Sequence, residues 1–363
     1  MMRDHPQDHA ERYGRQLIFL ISQPRSGSTL LQHLLGGHTQ ILTAPEPWLM
    51  LNWIYGTRES GITAEYNSKY ASLAVKDFLE RIPNGSELYR RAIACAASSI
   101  YTAALQAGGK RFFLDKTPRY YFIAEELFEI FPQATYIFLL RNPLSVFASI
   151  LQTNFSGNWK KMLAQEDRRH DLITAPKLIA DAVENMTENV IVIRYEELVI
   201  DPVSTLRPIC EKLGVKLEPE MLRYGGRVEF KETTFIDPRS IYKHDQVVDS
   251  YVDRWRELLD SPEKRMLAEA YVRTLDSRAL DFYGYDLEGP LLAIKKSSKK
   301  SIVLDRLLSA PKSIPEHGFN RWDVAKLFIG RLFSDKKLRY APARFAKRLL
   351  TRATKVLAGR GDA

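Results

Sequence analysis

Four places in this 363-residue sequence combine residue types and spacings that could do chemistry. The first is Pro24-Arg25-Ser26-Gly27-Ser28-Thr29-Leu30, between the apolar run Leu17–Ser22 and a helical pattern. A strand, a turn of small residues and a helix N-terminus present open backbone N–H groups at a positive dipole end, which together bind anions. Arg25, Ser26, Ser28 and Thr29 add side-chain donors, although the serines could equally do no more than cap the helix. The second is Arg141, just after the run Thr135–Leu140, with Ser149 eight residues on. A guanidinium there can grip a phosphate with paired donors, or simply be a solvated strand end. The third is Tyr195-Glu196-Glu197-Leu198 after Val190–Arg194, where the tyrosine offers an aromatic wall to a base or packs the sheet end. The fourth is a pair, Glu46 between Pro45 and Pro47, and Lys116 in Asp115-Lys116-Thr117-Pro118. Prolines beside a carboxylate remove N–H donors that would stabilise its charge, which suits a general base. A strand-end ammonium can neutralise charge building on a leaving group. Each of the two is also compatible with an ordinary surface side chain.

The elements that must position these residues alternate in type. Leu17–Ser22, Arg111–Asp115, Thr135–Leu140 and Val190–Arg194 read as buried strands. Helical patterns cover Ser28–Leu35, Ser86–Gln106, Ala124–Phe131, Pro143–Leu151, Leu172–Asn185, Pro202–Leu213 and Pro262–Asp276, several opening on a proline. Strand alternating with helix predicts an α/β fold with a central parallel sheet covered on both faces. In such sheets ligands gather at the C-terminal ends of strands, where all of these residues but Glu46 lie.

Composition narrows the class further. Two cysteines, Cys95 and Cys210, cannot build a disulfide framework, and such sparing use fits a reducing, cytoplasmic compartment. The charged start MMRDHPQDHAER lacks the apolar stretch of a signal peptide, and no apolar run approaches ~20 residues. The sequence contains no metal-ligand spacing and no Ser–His–Asp order. The net charge of +9 is uneven: residues 291–363 hold 18 Lys/Arg against 5 Asp/Glu, leaving 35 basic against 39 acidic before them.

The loop Pro24–Leu30 is a P-loop without its lysine, since Ser28 stands where G-x-x-x-x-G-K-[ST] requires one. It resembles the 5′-phosphosulfate loop of the sulfotransferases that use 3′-phosphoadenosine-5′-phosphosulfate (PAPS), most closely the tyrosyl-protein and bacterial branch. The resemblance covers roughly residues 15–260. It implies a P-loop-like fold, a PAPS cofactor with no metal, and transfer of a sulfuryl group to an acceptor hydroxyl, leaving adenosine 3′,5′-bisphosphate. It further implies that Pro24 to Leu30 hold the 5′-phosphosulfate, that Arg141 and Ser149 hold the 3′-phosphate, and that Tyr195 lies near the adenine. Glu46, 21 residues after Arg25, matches the catalytic glutamate, Lys116 matches the lysine facing the bridging oxygen, and Arg25 with Lys116 would stabilise the charge that moves in the transfer. Arg239, Ser240 and Lys243 match a late loop that closes on the nucleotide. The sequence departs from the tyrosyl-protein pattern after Glu46, where Trp48 and Leu49-Met50-Leu51 replace a second glutamate. That departure suggests a more apolar acceptor pocket for a hydroxyl-bearing acceptor of unknown class. His33 and His38 are not matched to a role and read as core or surface histidines.

Three parts follow: an arm over 1–14, the domain over 15–290, and a basic helical extension over 291–363. Around Lys347 the extension separates Arg344, Arg348, Arg352 and Lys355 from an apolar face containing Phe345, Leu349, Leu350, Val356 and Leu357. Such a helix can dock on the body or lie on an anionic membrane, while thin aromatic interleaving makes nucleic acid an unfavoured partner. Two rivals to the sulfotransferase reading stay open on sequence alone. One is a P-loop-like nucleotide kinase, and the other is a non-enzymatic adaptor driven by the basic extension.

Overall fold

A computed structural model describes residues 14–223 and 246–285. Five strands, β1 (Leu17–Ser22), β2 (Ile41–Thr43), β3 (Phe112–Lys116), β4 (Thr135–Leu140) and β5 (Val190–Arg194), form one sheet in the order β2-β3-β1-β4-β5. Every pairing is parallel. Residues of β1 and β4 are buried throughout because the sheet is covered on both sides. Alternation sends Leu17, Phe19, Ile21, Tyr136 and Phe138 into one core, and Ile18, Leu20, Ile137 and Leu139 into the other.

In chain order the helices are α1 (Ser28–Gly36), α2 (Leu49–Tyr55), α3 (Ser68–Glu80), α4 (Gly85–Gly108), α5 (Ala124–Ile130), α6 (Pro143–Phe155), α7 (Trp159–Leu163), α8 (Glu166–Arg169), α9 (Ala175–Asn185), α10 (Tyr195–Ile200), α11 (Pro202–Leu213), α12 (Arg254–Leu258), α13 (Pro262–Thr274) and α14 (Ser277–Tyr283). A third core, with Phe147 and Tyr271 stacked at 4.9 Å, joins α6 to α13. The α/β parallel sheet is thus as the alternation predicts. The sequence reading missed β2, an edge strand too short to show a period, and made Leu172–Asn185 one helix. A π turn over His170–Thr174 precedes α9 instead, just before Pro176, which has no N–H to carry a regular helical bond. Leu49-Met50-Leu51 opens α2, and Met50 is fully buried in the first core. Part of that apolar stretch therefore serves packing and cannot line an acceptor pocket. Among the described residues no helix is long and apolar enough to cross a membrane. Residues 1–13 of the arm over 1–14, the late-loop residues Arg239, Ser240 and Lys243, and the extension over 291–363 lie outside the described residues.

Candidate active site

Each strand delivers one segment to the same edge of the sheet. From the central β1 the chain turns through Gln23 to Gly27 into α1. Arg25 and Gly27 take the left-handed conformation, at φ of +74° and +94°. A non-glycine residue held there is strained, a condition concentrated at ligand sites. Gly27 is required by its surroundings as well as its φ, because a Cβ would meet the Tyr195 ring at 2.4 Å. No side chain caps α1, so the first-turn amides of Ser28, Thr29 and Leu30 face the loop as an anion site. Ser28 is buried, Pro24 and Thr29 are half-buried, and Leu30 packs on the second core.

The residues predicted from separate strands are bonded to one another. Arg25 Nε donates to Ser149 Oγ at 3.3 Å. Arg141 Nη1 donates to the carbonyl of Arg25 at 3.0 Å, and Nη2 to that of Tyr251 at 3.0 Å. The Arg141 guanidinium lies 4.0 Å from the centre of the Tyr195 ring. Tyr195 is buried between Gly27 and Arg141, so it backs the turn from Gln23 to Gly27 and has little surface to offer a base. Burial pushes the Arg141 pKa down from its ordinary value, against the opposing pull of Tyr195 and Glu196. Glu196, which the sequence reading gave no role, fixes this arrangement: it accepts from Asn142 N at 3.2 Å and from Tyr285 OH at 2.5 Å.

On the other flank of β1, the β2 end carries Glu46 and the β3 end carries Lys116. Lys116 Nζ donates to Glu46 Oε1 at 2.7 Å, with the ammonium side chain 3% exposed and the carboxylate side chain 15%. The second Glu46 oxygen has no hydrogen-bond partner among the described residues. Lys116 is the last residue of β3 itself, one step earlier than the sequence reading had it. Buried Gln32 of α1 holds the approach to Glu46, donating to Thr43 Oγ1 at 2.8 Å and to the Ala44 carbonyl at 2.9 Å. Its signal in the sequence was faint, a single amide on an otherwise apolar helix face.

The histidines separate cleanly. His33 is buried, and its pKa falls to about 4, first through burial and then through Lys116, which makes it a weak proton acceptor at neutral pH. His38 accepts from Gln40 N at Nδ1 and donates from Nε2 to the Lys216 carbonyl, a structural role. Among the described residues no cluster of His, Cys, Asp or Glu could hold a metal ion.

A model of the sulfotransferase family matches residues 17–219, more than half of the chain and all five strands. This chain belongs to the sulfotransferase family. It is 31% identical over 279 residues to nodulation protein NoeE of Sinorhizobium fredii (strain NBRC 101917 / NGR234), a match covering 70% of this chain and 63% of NoeE. The sulfotransferase domain from the curacin biosynthetic pathway shares the fold at a TM-score of 0.50 and 21% identity. That match covers 74% of this chain and 95% of the other.

Proposed function

We propose that this sulfotransferase moves a sulfuryl group from PAPS to an acceptor hydroxyl, giving a sulfate ester, adenosine 3′,5′-bisphosphate and a proton. The observation that carries the reading is the direct linkage of Arg25 to Ser149 and of Arg141 to the Arg25 carbonyl. It brings two anion-binding segments, far apart in sequence, to within one side chain of each other, as a nucleotide with two separate phosphate groups needs.

The residues fit that ligand. Ser26 Oγ and Arg141 Nε are buried donors with no hydrogen-bond partner among the described residues. Buried polar groups are costly unless satisfied, and here both belong to motifs for an anion. Gly27, with no Cβ, keeps the loop open beside Tyr195. Ser26 and the open amides of α1 would hold the 5′-phosphosulfate, and Arg141 with Ser149 the 3′-phosphate. When bound, PAPS supplies an activated sulfuryl group on a good leaving oxygen. Glu46 takes the proton of the acceptor hydroxyl at its free carboxylate oxygen. Lys116 holds the other oxygen of Glu46 with one of its three donors, and keeps the remaining N–H groups for charge developing beside it. The kinase reading is disfavoured by Ser28, which occupies the place of the phosphate-binding lysine.

The test is transfer from sulfur-labelled PAPS into a small-molecule extract of the source cells, with products identified by mass. The reading expects at least one compound to gain SO₃ with the wild-type chain and far less of it to form with Glu46→Gln. Phosphoryl transfer from ATP without sulfuryl transfer from PAPS would overturn it.

A further inference from the structure

Asp115 stands one residue before Lys116 and points to the opposite side of β3, with 1% of its surface exposed. No cationic side chain hydrogen-bonds to it. Its carboxylate accepts three hydroxyl protons instead: from Tyr101 at 2.6 Å, from Tyr120 at 2.9 Å and from Thr117 at 3.0 Å. An ionised carboxylate only accepts, so each hydroxyl must spend its single proton on it and turn its lone pairs elsewhere. Two of those hydroxyls then receive main-chain amides from the base loop. Trp48 N donates to Thr117 Oγ1 at 3.3 Å, and Met50 N donates to Tyr120 Oη at 3.3 Å. These are amides at the start of α2, whose N-cap residue Trp48 makes no side-chain cap and sits in the left-handed region at φ +56°. A bulky residue rarely holds that conformation unless its surroundings impose it. Only Pro47, whose ring fixes φ, separates Trp48 from Glu46. The orientation imposed at Trp48 is therefore passed to Glu46 with few soft torsions between them.

We propose that Asp115 is a positioning residue for the general base, acting through the Thr117 and Tyr120 hydroxyls on the amides of Trp48 and Met50 to fix the loop that presents Glu46. The proposal rests on the reading of Glu46 as base. Lys116 holds that carboxylate from the front, and Asp115 holds its backbone from behind. Tyr101, from α4, bonds the same carboxylate but hydrogen-bonds to no amide of the base loop, so it serves as an internal control.

The experiment compares Thr117→Val, Tyr120→Phe and Tyr101→Phe in the full chain, each deleting one hydroxyl with little change of shape, with Asp115→Asn as the fourth variant. Amide hydrogen exchange over residues 44–50 needs no acceptor. It should speed up about tenfold in the first two and in Asp115→Asn, and stay within about twofold in Tyr101→Phe. Turnover with labelled PAPS and the cell extract should fall about 10–100-fold for Thr117→Val and Tyr120→Phe, with the KM for PAPS nearly unchanged. In a Glu46→Gln background, adding Tyr120→Phe should cost nothing further, because the hydroxyl acts through that carboxylate. The positioning role is overturned if Thr117→Val and Tyr120→Phe match Tyr101→Phe in both exchange and turnover, or if the losses multiply in the Glu46→Gln background. A fully active Glu46→Gln would instead overturn the base assignment, leaving the exchange result to report on the loop alone.

Discussion

Replacing Gly27 by alanine tests how tightly the phosphate loop is built. Gly27 sits at φ +94°, and the new Cβ would lie 2.4 Å and 2.6 Å from two carbons of the Tyr195 ring. Carbon atoms pack at about 3.5–4.0 Å, so more than 1 Å of overlap must be relieved. The ring has little room to retreat, since it is buried and the Arg141 guanidinium covers its face at 4.0 Å. A left-handed backbone costs an L-residue about 1–2 kcal/mol, and overpacking of this kind about 1–3 kcal/mol. The total of about 2–5 kcal/mol corresponds to a fall in Tm of roughly 4–20 °C for a domain of this size. Thermal and urea unfolding of the wild type, Gly27→Ala, Tyr195→Leu and the double variant close a cycle. In the Tyr195→Leu background only the backbone cost should remain, so alanine should cost about 1–3 kcal/mol less there. An equal cost in both backgrounds, or a total below about 1 kcal/mol, would refute the account of Gly27 and Tyr195 as a matched pair.

Three further outcomes are expected. Glu46→Gln should lower turnover about 10²–10⁴-fold while leaving the melting shift caused by adenosine 3′,5′-bisphosphate unchanged; retained activity would move the search for the base elsewhere. Burial, opposed by the three hydroxyl bonds, pushes the Asp115 carboxyl up from 3.8 to about 6. Between those values the folded state keeps a proton that the unfolded state has lost, so this group stabilises below about pH 4 and that contribution disappears as pH rises through 6. Wild-type stability relative to Asp115→Asn should therefore fall by about 2 kcal/mol between pH 4 and 7 in urea melts, and a pH-independent difference would contradict the assignment. We also propose that the basic extension contacts anionic membranes; the full chain should pellet with anionic vesicles at low salt more than a chain ending at Gly289, and equal, negligible pelleting of both would end that proposal.

Strands bounded by turn residues and apolar throughout were legible in the sequence to the residue: Leu17–Ser22, Thr135–Leu140 and Val190–Arg194 have the predicted limits, as does α11 after Pro202. The turn at Gln23 to Gly27 was legible because its order, strand then turn then helix, is local. Three things were not legible, each for a physical reason. Ile41–Thr43 is three residues long, and no period shows in so short a run. Met50 reads as part of an apolar acceptor pocket until α2 turns it into the core. The Asp115 network draws on Tyr101, Thr117, Tyr120, Trp48 and Met50 from three separated segments, so only the folded chain brings it together. Tyr195 was given two readings, and the sheet sets it against Gly27 and Arg141, at the phosphate loop.

The most direct test of the central claim is calorimetric titration of the full chain with adenosine 3′,5′-bisphosphate, 5′-AMP and ATP, with and without magnesium. A site built from Arg25, Ser26, Arg141 and Ser149 predicts that the 3′,5′-bisphosphate binds at least about tenfold more tightly than 5′-AMP, a difference of about 1.4 kcal/mol or more, and needs no magnesium. Arg141→Met should erase most of that preference. Equal affinity for the two adenosine phosphates, or tighter magnesium-dependent binding of ATP, would contradict the account.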